Sequence, residues 1–298
     1  MVKTMSLPPE EIQALDETVK ISQTLPRDKV VRYQRTKTPV VFIHGLWLHA
    51  SSWRPWVEYF NAAGYQATAP GWPDFPSTVE ETRKHPEFML DQTIDQVVDH
   101  YTKIVRKLPQ QPVVIGHSFG GLVAQRLLDR RLVAAVVAID PAPIKGVRAL
   151  PFTQFKAAWP VLSHPGAVHK AVILNSKQFR YGFANQLDDG EAKVLYRTWS
   201  IPAPARPLWQ AALAAFTRHA QTKVDTTKKH PPLLLMSGQQ DHTVPPETTR
   251  DVHALYRDSA SVTDLKEWPD RGHSLVIDSG WKELADYALK WLRSQHIR

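Results

Sequence analysis

The sequence predicts an α/β fold: a mostly parallel sheet flanked by helices on both faces, interrupted by one helical insertion. Three observations predict it. Short, continuously apolar runs such as Val40-Val41-Phe42-Ile43 and Val113-Val114-Ile115 read as strands buried on both faces. Stretches with apolar residues at helical spacing alternate with them, and repeated strand–helix units favour parallel pairing. The alternation stops after Pro143 and resumes near Leu233, leaving an aromatic-rich stretch without a clear strand.

Residues 1–27 read as a peripheral segment, in which Pro8-Pro9 precede a short helix carrying Ile12, Leu15 and Val19. The α/β core spans 28–144 and 229–298. Its strand candidates begin with Val30 to Tyr33 and Val40 to Ile43. Ser51-Ser52 offer a cap for a helix with Trp53, Trp56, Val57 and Phe60 that ends near Gly64. Tyr65 to Ala69 is the next strand candidate. A long helix carries Ile94, Val97, Val98, Tyr101, Ile104, Val105 and Leu108 at spacings of three and four. Then come the strand Val113 to Ile115, a helix from Leu122 to Leu128 and the strand Val133 to Ile139. The insertion, 145–228, reads as a helical cap broken by Pro202, Pro204 and Pro207. The core resumes with Leu233 to Met236, a helix from Pro245 to Tyr256, a strand from Val262 to Trp268 and a helix from Trp281 to Leu292.

Composition narrows the function classes. The chain has 298 residues, 43% hydrophobic and 22% charged, ordinary values for a globular protein with a sizeable core. With no cysteine, disulfides, cysteine-based zinc sites and a cysteine nucleophile are excluded. The formal charge of +8 comes from scattered basic residues, which points to a solvated surface rather than a nucleic-acid partner. The longest apolar run, Leu132 to Ile139, is strand-sized, so no transmembrane segment is expected. The first residues lack the pattern of a signal peptide, and the expected location is cytoplasmic.

The chemistry is carried by Gly116-His117-Ser118-Phe119-Gly120, a G-x-S-x-G pattern between a strand and a helix. Glycines flank the serine because the turn is too sharp for side chains there, and the strained turn lifts the serine hydroxyl above the sheet edge. The N-terminus of the following helix favours negative charge developing at the site. A serine needs a base, and histidine has a suitable pKa. Thirteen histidines compete for that role.

The elbow, together with Val41-Phe42-Ile43-His44-Gly45-Leu46-Trp47, Gly238-Gln239-Gln240-Asp241-His242-Thr243-Val244-Pro245 and Arg271-Gly272-His273-Ser274, resembles blocks of the α/β-hydrolase superfamily, among them those of serine esterases and lysophospholipase-like members. The resemblance extends from about Val30 to the end of the chain. It implies the α/β-hydrolase fold with a helical cap, Ser118 as nucleophile, His273 as base and Asp241 as the acid that orients the base. Asp140, at the end of the strand Val133 to Ile139, is the rival acid, because some members place theirs there. His117, His44 and His242 are the lesser candidates for base; His44 is expected to shape its loop. The oxyanion donors are expected to be the backbone N–H groups of Phe119 and Leu46. Trp47, Trp159 and Phe183 are candidates for the substrate pocket.

The expected reaction is hydrolysis of a small-molecule carboxylic ester, or a related acyl substrate, through an acyl-enzyme, with no metal or organic cofactor required. The same triad chemistry also leaves open a perhydrolase or haloperoxidase-like activity and a C–C hydrolase or lyase. From another class, a non-catalytic ligand-binding protein on this fold stays open. Neither oligomeric state nor physiological substrate follows from the residues.

Overall fold

The computed structural model describes residues 37–149 and 151–298. The expected N-terminal helix and the strand Val30 to Tyr33 lie outside the described residues. Within them, six strands form one parallel sheet: β1 (Pro39–Ile43), β2 (Gln66–Thr68), β3 (Val113–His117), β4 (Ala135–Ile139), β7 (Leu233–Gly238) and β8 (Thr263–Trp268), in the spatial order β2-β1-β3-β4-β7-β8. The reversal of order lies beside β1 and β3, where crevices form at the carboxyl ends of strands in open sheets. Register is continuous across the centre, from Ile43↔Gly116 through His117↔Ile139 to Ile139↔Met236. The ends of β1, β3, β4 and β7 are therefore level, and the loops leaving them converge.

The apolar runs divide between two layers because successive side chains alternate faces. Val41, Ile43, Val114, Val136 and Leu235 pack with α3 (Ile94–Arg106), α4 (Phe119–Asp129) and α9 (Pro246–Leu255). Val40, Phe42, Ile115, Val137 and Met236 pack on the other face with α1 (Arg54–Ala62) and α10 (Trp281–Ser294). The helix α3 starts where Thr93 and Gln96 cap each other: Thr93 N–H donates to Gln96 Oε1 at 2.8 Å, and Gln96 N–H to Thr93 Oγ1 at 3.2 Å.

Several local expectations change. Ser51 and Ser52 lie inside a 3-10 turn, Ala50–Trp53, whose cap is the His49 side chain. The helix after the elbow begins at Phe119, one residue after the serine. A short helix α2 (Val79–Lys84) stands in a stretch whose charged composition gave no apolar stripe.

Between β4 and β7 the chain forms α5 (Phe152–Leu162), α6 (Ser176–Gly182), α7 (Asp189–Trp199) and α8 (Arg206–Ala212). It also holds a two-residue antiparallel ribbon, β5 (Ala171–Val172) with β6 (Ala203–Pro204), where no strand was expected. So short a pair leaves no periodic trace in the sequence. The ribbon region grips the β1 loop: Trp47 Nε1 donates to Val172 O at 3.0 Å, Ile201 N–H to Trp47 O at 3.0 Å, and His49 N–H to Trp199 O at 3.2 Å. Among the described residues no helix is long and apolar enough to cross a membrane.

Candidate active site

Ser118 occupies the turn between β3 and α4 with φ 56° and ψ −121°, a conformation that L-residues adopt only under constraint. Its N–H donates to Ile139 O at 2.9 Å, and its carbonyl accepts from Ala142 N–H at 2.9 Å. The strain is therefore held by hydrogen bonds to the end of β4. Two glycines make the turn possible by close approach. A Cβ on Gly116 would lie 2.1 Å from Gly120 O, and one on Gly120 would lie 2.1 Å from Ile43 O. Only bare backbone lets α4 begin so close to β1 and β3.

The β1 loop passes directly over the serine, since a Cβ on Gly45 would lie 2.7 Å from Ser118 Cβ. His44 shapes this loop as expected. Its Nδ1 lies 2.9 Å from Gly45 O, and its Nε2 accepts from Trp72 N–H at 3.3 Å. Burial pushes the His44 imidazolium down to about 3, so the ring is neutral. Phe119 is the first residue of α4, so its N–H has no acceptor within the helix. Among the described residues neither the Leu46 nor the Phe119 N–H donates to another group. Trp47, next to Leu46, holds a positive φ of 64°.

His273 follows β8 in a loop fixed from two sides. Ser274 N–H donates to Phe183 O at 2.9 Å, and Arg271 Nη2 donates to the buried Asp278 Oδ1 at 2.8 Å. His273 Nδ1 donates to Asp241 Oδ2 at 2.5 Å, with both side chains fully buried. Asp241 Oδ1 accepts from Thr243 N–H at 2.6 Å and Val244 N–H at 2.8 Å. With its proton on Nδ1, the neutral ring presents a lone pair on Nε2, and that buried atom has no hydrogen-bond partner. Burial holds the imidazolium of His273 well below the ordinary histidine range. Ser118 Oγ also makes no hydrogen bond among the described residues, so the Ser118–His273 bond is not formed here. Such bonds are often long before substrate binds.

The rival acid Asp140 is in the same place. It sits at the end of β4 with φ 39°, fully buried, with Oδ2 4.0 Å from His273 Nδ1. The shorter contact belongs to Asp241. His117 is also buried, its ring centroid 4.4 Å from that of His273. Ligand atoms of His117, Asp140 and His273 lie within 4.8 Å of one another, though His273 Nδ1 is already committed to Asp241. His242 turns instead toward the insertion, 3.0 Å from Tyr181 O.

Ser118 and Phe119 open into a cavity of about 610 Å³. Its walls come from α5 (Phe152, Phe155, Ala157, Ala158), α8 (Leu208, Ala211, Ala212) and the segment Ala142 to Val147, together with Trp47 and Val244. Of the three pocket expectations only Trp47 lines it. Phe183 is buried against the rings of His273, at 4.8 Å, and Trp47, at 6.3 Å, and so backs the His273 imidazole. Trp159 is half exposed and packs on Phe155 at 5.1 Å. Aromatic content drew attention to the insertion, but much of the lining is alanine, whose small side chain gives no sequence signal.

A family model described as "Alpha/beta hydrolase family" matches residues 40–287. The chain belongs to that family. Among curated proteins none matches it. Solved structures share the hydrolase fold at low identity. A monoacylglycerol lipase from Paleococcus ferrophilus aligns with TM-score 0.60 and 20% identity, over 87% of this chain and 96% of that one. The methylesterase MES16 from Arabidopsis aligns with TM-score 0.57 and 16% identity, over 86% and 99%. A candidate non-heme bromoperoxidase, BpoC, from Mycobacterium tuberculosis aligns with TM-score 0.63 and 20% identity, over 87% and 93%. The family is a hydrolase family, with esterase and lipase neighbours, and implies a small-molecule substrate.

Proposed function

We propose that this hydrolase is a serine esterase acting on uncharged esters with an apolar acyl part, with Ser118 as nucleophile, His273 as base and Asp241 as orienting acid. The observation that carries the reading is the buried 2.5 Å contact from His273 Nδ1 to Asp241, which leaves Nε2 free at the sheet end where Ser118 sits on its strained turn. His273 takes the serine proton as Oγ attacks the ester carbonyl. The Leu46 and Phe119 N–H groups stabilise the tetrahedral oxyanion. The leaving alcohol takes the proton from His273, and water resolves the acyl-enzyme by the same route.

The apolar lining of the cavity supports the acyl preference. In this reading residues 145–228 act as a cap whose helices α5 and α8 select the acyl chain. The test is labelling by a fluorophosphonate, followed by a p-nitrophenyl ester chain-length series. Ser118→Ala should abolish both labelling and turnover with the fold intact. Binding of esters without turnover at any chain length would favour the ligand-binding protein. Turnover only with added peroxide and halide would favour the perhydrolase.

A further inference from the structure

Two carboxylates, not one, converge on the Nδ1 face of His273. Asp241 Oδ2 is at 2.5 Å and Asp140 Oδ2 at 4.0 Å, and all three side chains are fully buried. Their donors are unequal. Asp241 accepts from His273 and from two backbone N–H groups, whereas Asp140 accepts one, from Gly238 N–H to Oδ1 at 2.9 Å. No donor reaches Asp140 Oδ2. An ionised Asp140 would thus carry an unpaired charge beside a like charge in a dry site, while a protonated one can donate to Asp241.

We propose that Asp140 is a positioning residue of the site: a carboxylic acid kept protonated, which donates to Asp241 and ionises to replace it when Asp241 loses its charge. The proposal rests on the esterase reading above. Burial first, then the charge of Asp241 and a hydrogen bond to it, push the Asp140 carboxyl well above the usual carboxylate range. The groups facing the pair are His273 from the β8 loop, His117 from β3 and Ser237 from β7, with neutral His44 beyond His117. None is a fixed cation, and burial also raises the Asp241 carboxyl, to about 7, below that of Asp140, so in this proposal the pair shares one proton that resides on Asp140.

The test reads the rate of fluorophosphonate labelling at Ser118 against pH in the wild type, Asp241→Asn, Asp140→Asn and the double variant, with thermal melts to show folding. Asp140→Asn keeps a donor toward Asp241 through its amide but cannot ionise, and it supplies the background against which the double variant is read. Asp241→Asn should fall by about 10²-fold, and the double variant by the roughly 10⁴-fold seen where a triad loses its only acid. The direction of the pH shift discriminates further. Losing a lone acid lowers the histidine pKa and moves the acidic limb to lower pH. A reserve acid moves that limb to higher pH, because activity waits for Asp140 to ionise. Equal rates for Asp241→Asn and the double variant would overturn the proposal. So would a limb shifted to lower pH in Asp241→Asn, a result that stands even if Asp140→Asn does not fold. A wild type unlabelled at Ser118 would instead sink the esterase reading.

Discussion

The loops at the sheet end and the helices between β4 and β7 are built on opposite principles. At the sheet end Ser118, Asp241 and His273 are all buried, and the backbone around them is fixed by hydrogen bonds and by glycines too crowded to carry a Cβ. In the helical segment Phe152 is 76% exposed and Phe216 88%, and the cavity walls there are largely apolar, rich in alanine and phenylalanine, with Lys145 and Gln154 as their polar members. The difference teaches a division of labour. Buried, hydrogen-bonded loops carry Ser118, His273 and Asp241, and in the proposed reading the more exposed, largely apolar wall selects the chain that lies beside them.

The largest effect should come from the chemical end. Ser118→Ala or His273→Ala should lower turnover by at least roughly 10⁴-fold with an unchanged melting curve. A loss of only tenfold in either would place the chemistry elsewhere.

Next comes a contrast between glycines in the two regions. At Gly120 an added Cβ meets the Ile43 carbonyl at 2.1 Å, which cannot swing aside, whereas at Gly166 nothing lies within 4 Å. Gly120→Ala should destabilise by more than the ~1–3 kcal/mol usual for overpacking, or prevent folding. Gly166→Ala should leave the melting temperature nearly unchanged. Equal melting temperatures for the two variants would contradict the rigidity assigned to the elbow.

The cavity offers a third test. Ala211→Trp fills the space between α8 and α5, so an octanoyl ester should lose its advantage over a butyryl ester while acetate is still hydrolysed. Four methylenes at about 0.8 kcal/mol each make the loss of preference roughly 10²-fold. Parallel losses across the chain-length series would mean that the cavity does not hold the acyl group.

Smaller still is a pH effect in the wild type. As the proposed base His273 must be neutral, and burial lowers its pKa below the ordinary 6.5. Protonation therefore removes activity only when the pH drops below that lowered value. The acidic limb of kcat/KM should lie below pH 6.5, and a limb above it would show that the charge of Asp241 outweighs burial.

What the residues disclosed in advance follows the same division. The four central strands, β1, β3, β4 and β7, were legible because strands buried on both faces are largely apolar runs, and the elbow because its glycines have fixed steric duties around Ser118. His273 and Asp241 became legible through the blocks around them, and the structure brings their side chains together. The ribbon Ala171–Val172 with Ala203–Pro204 was not legible, because two residues carry no period. Nor was the backing of His273 by Phe183, which is a contact across 90 positions of chain. The same aromatic signal that flagged Phe183 also flagged the half-exposed Trp159. Asp140 was legible as an alternative to Asp241; that both would face one imidazole depends on β4 and β7 being neighbours, which only the sheet order reveals.

Trp47 belongs to both regions, and its substitution gives the finest test of the comparison. Its ring lines the cavity, its neighbour Leu46 is the proposed oxyanion donor, and its indole N–H is tied to Val172 O at 3.0 Å. Trp47→Phe keeps an aromatic wall but removes that one hydrogen bond, worth about 1 kcal/mol. If the bond serves only to hold the wall, KM for long-chain esters should rise a few-fold and acetate turnover should not change. If it also holds the loop that aims Leu46, kcat should fall for every ester alike, because the oxyanion donor acts whatever the chain length. The positive φ of Trp47 favours the second outcome: a left-handed tryptophan persists only where its surroundings hold it, and here the Ile201 N–H and Val172 carbonyl do so from the far side of the cavity loop. A uniform fall of about threefold to tenfold in kcat is therefore expected, and a purely chain-length-dependent change in KM would separate the pocket wall from the catalytic loop.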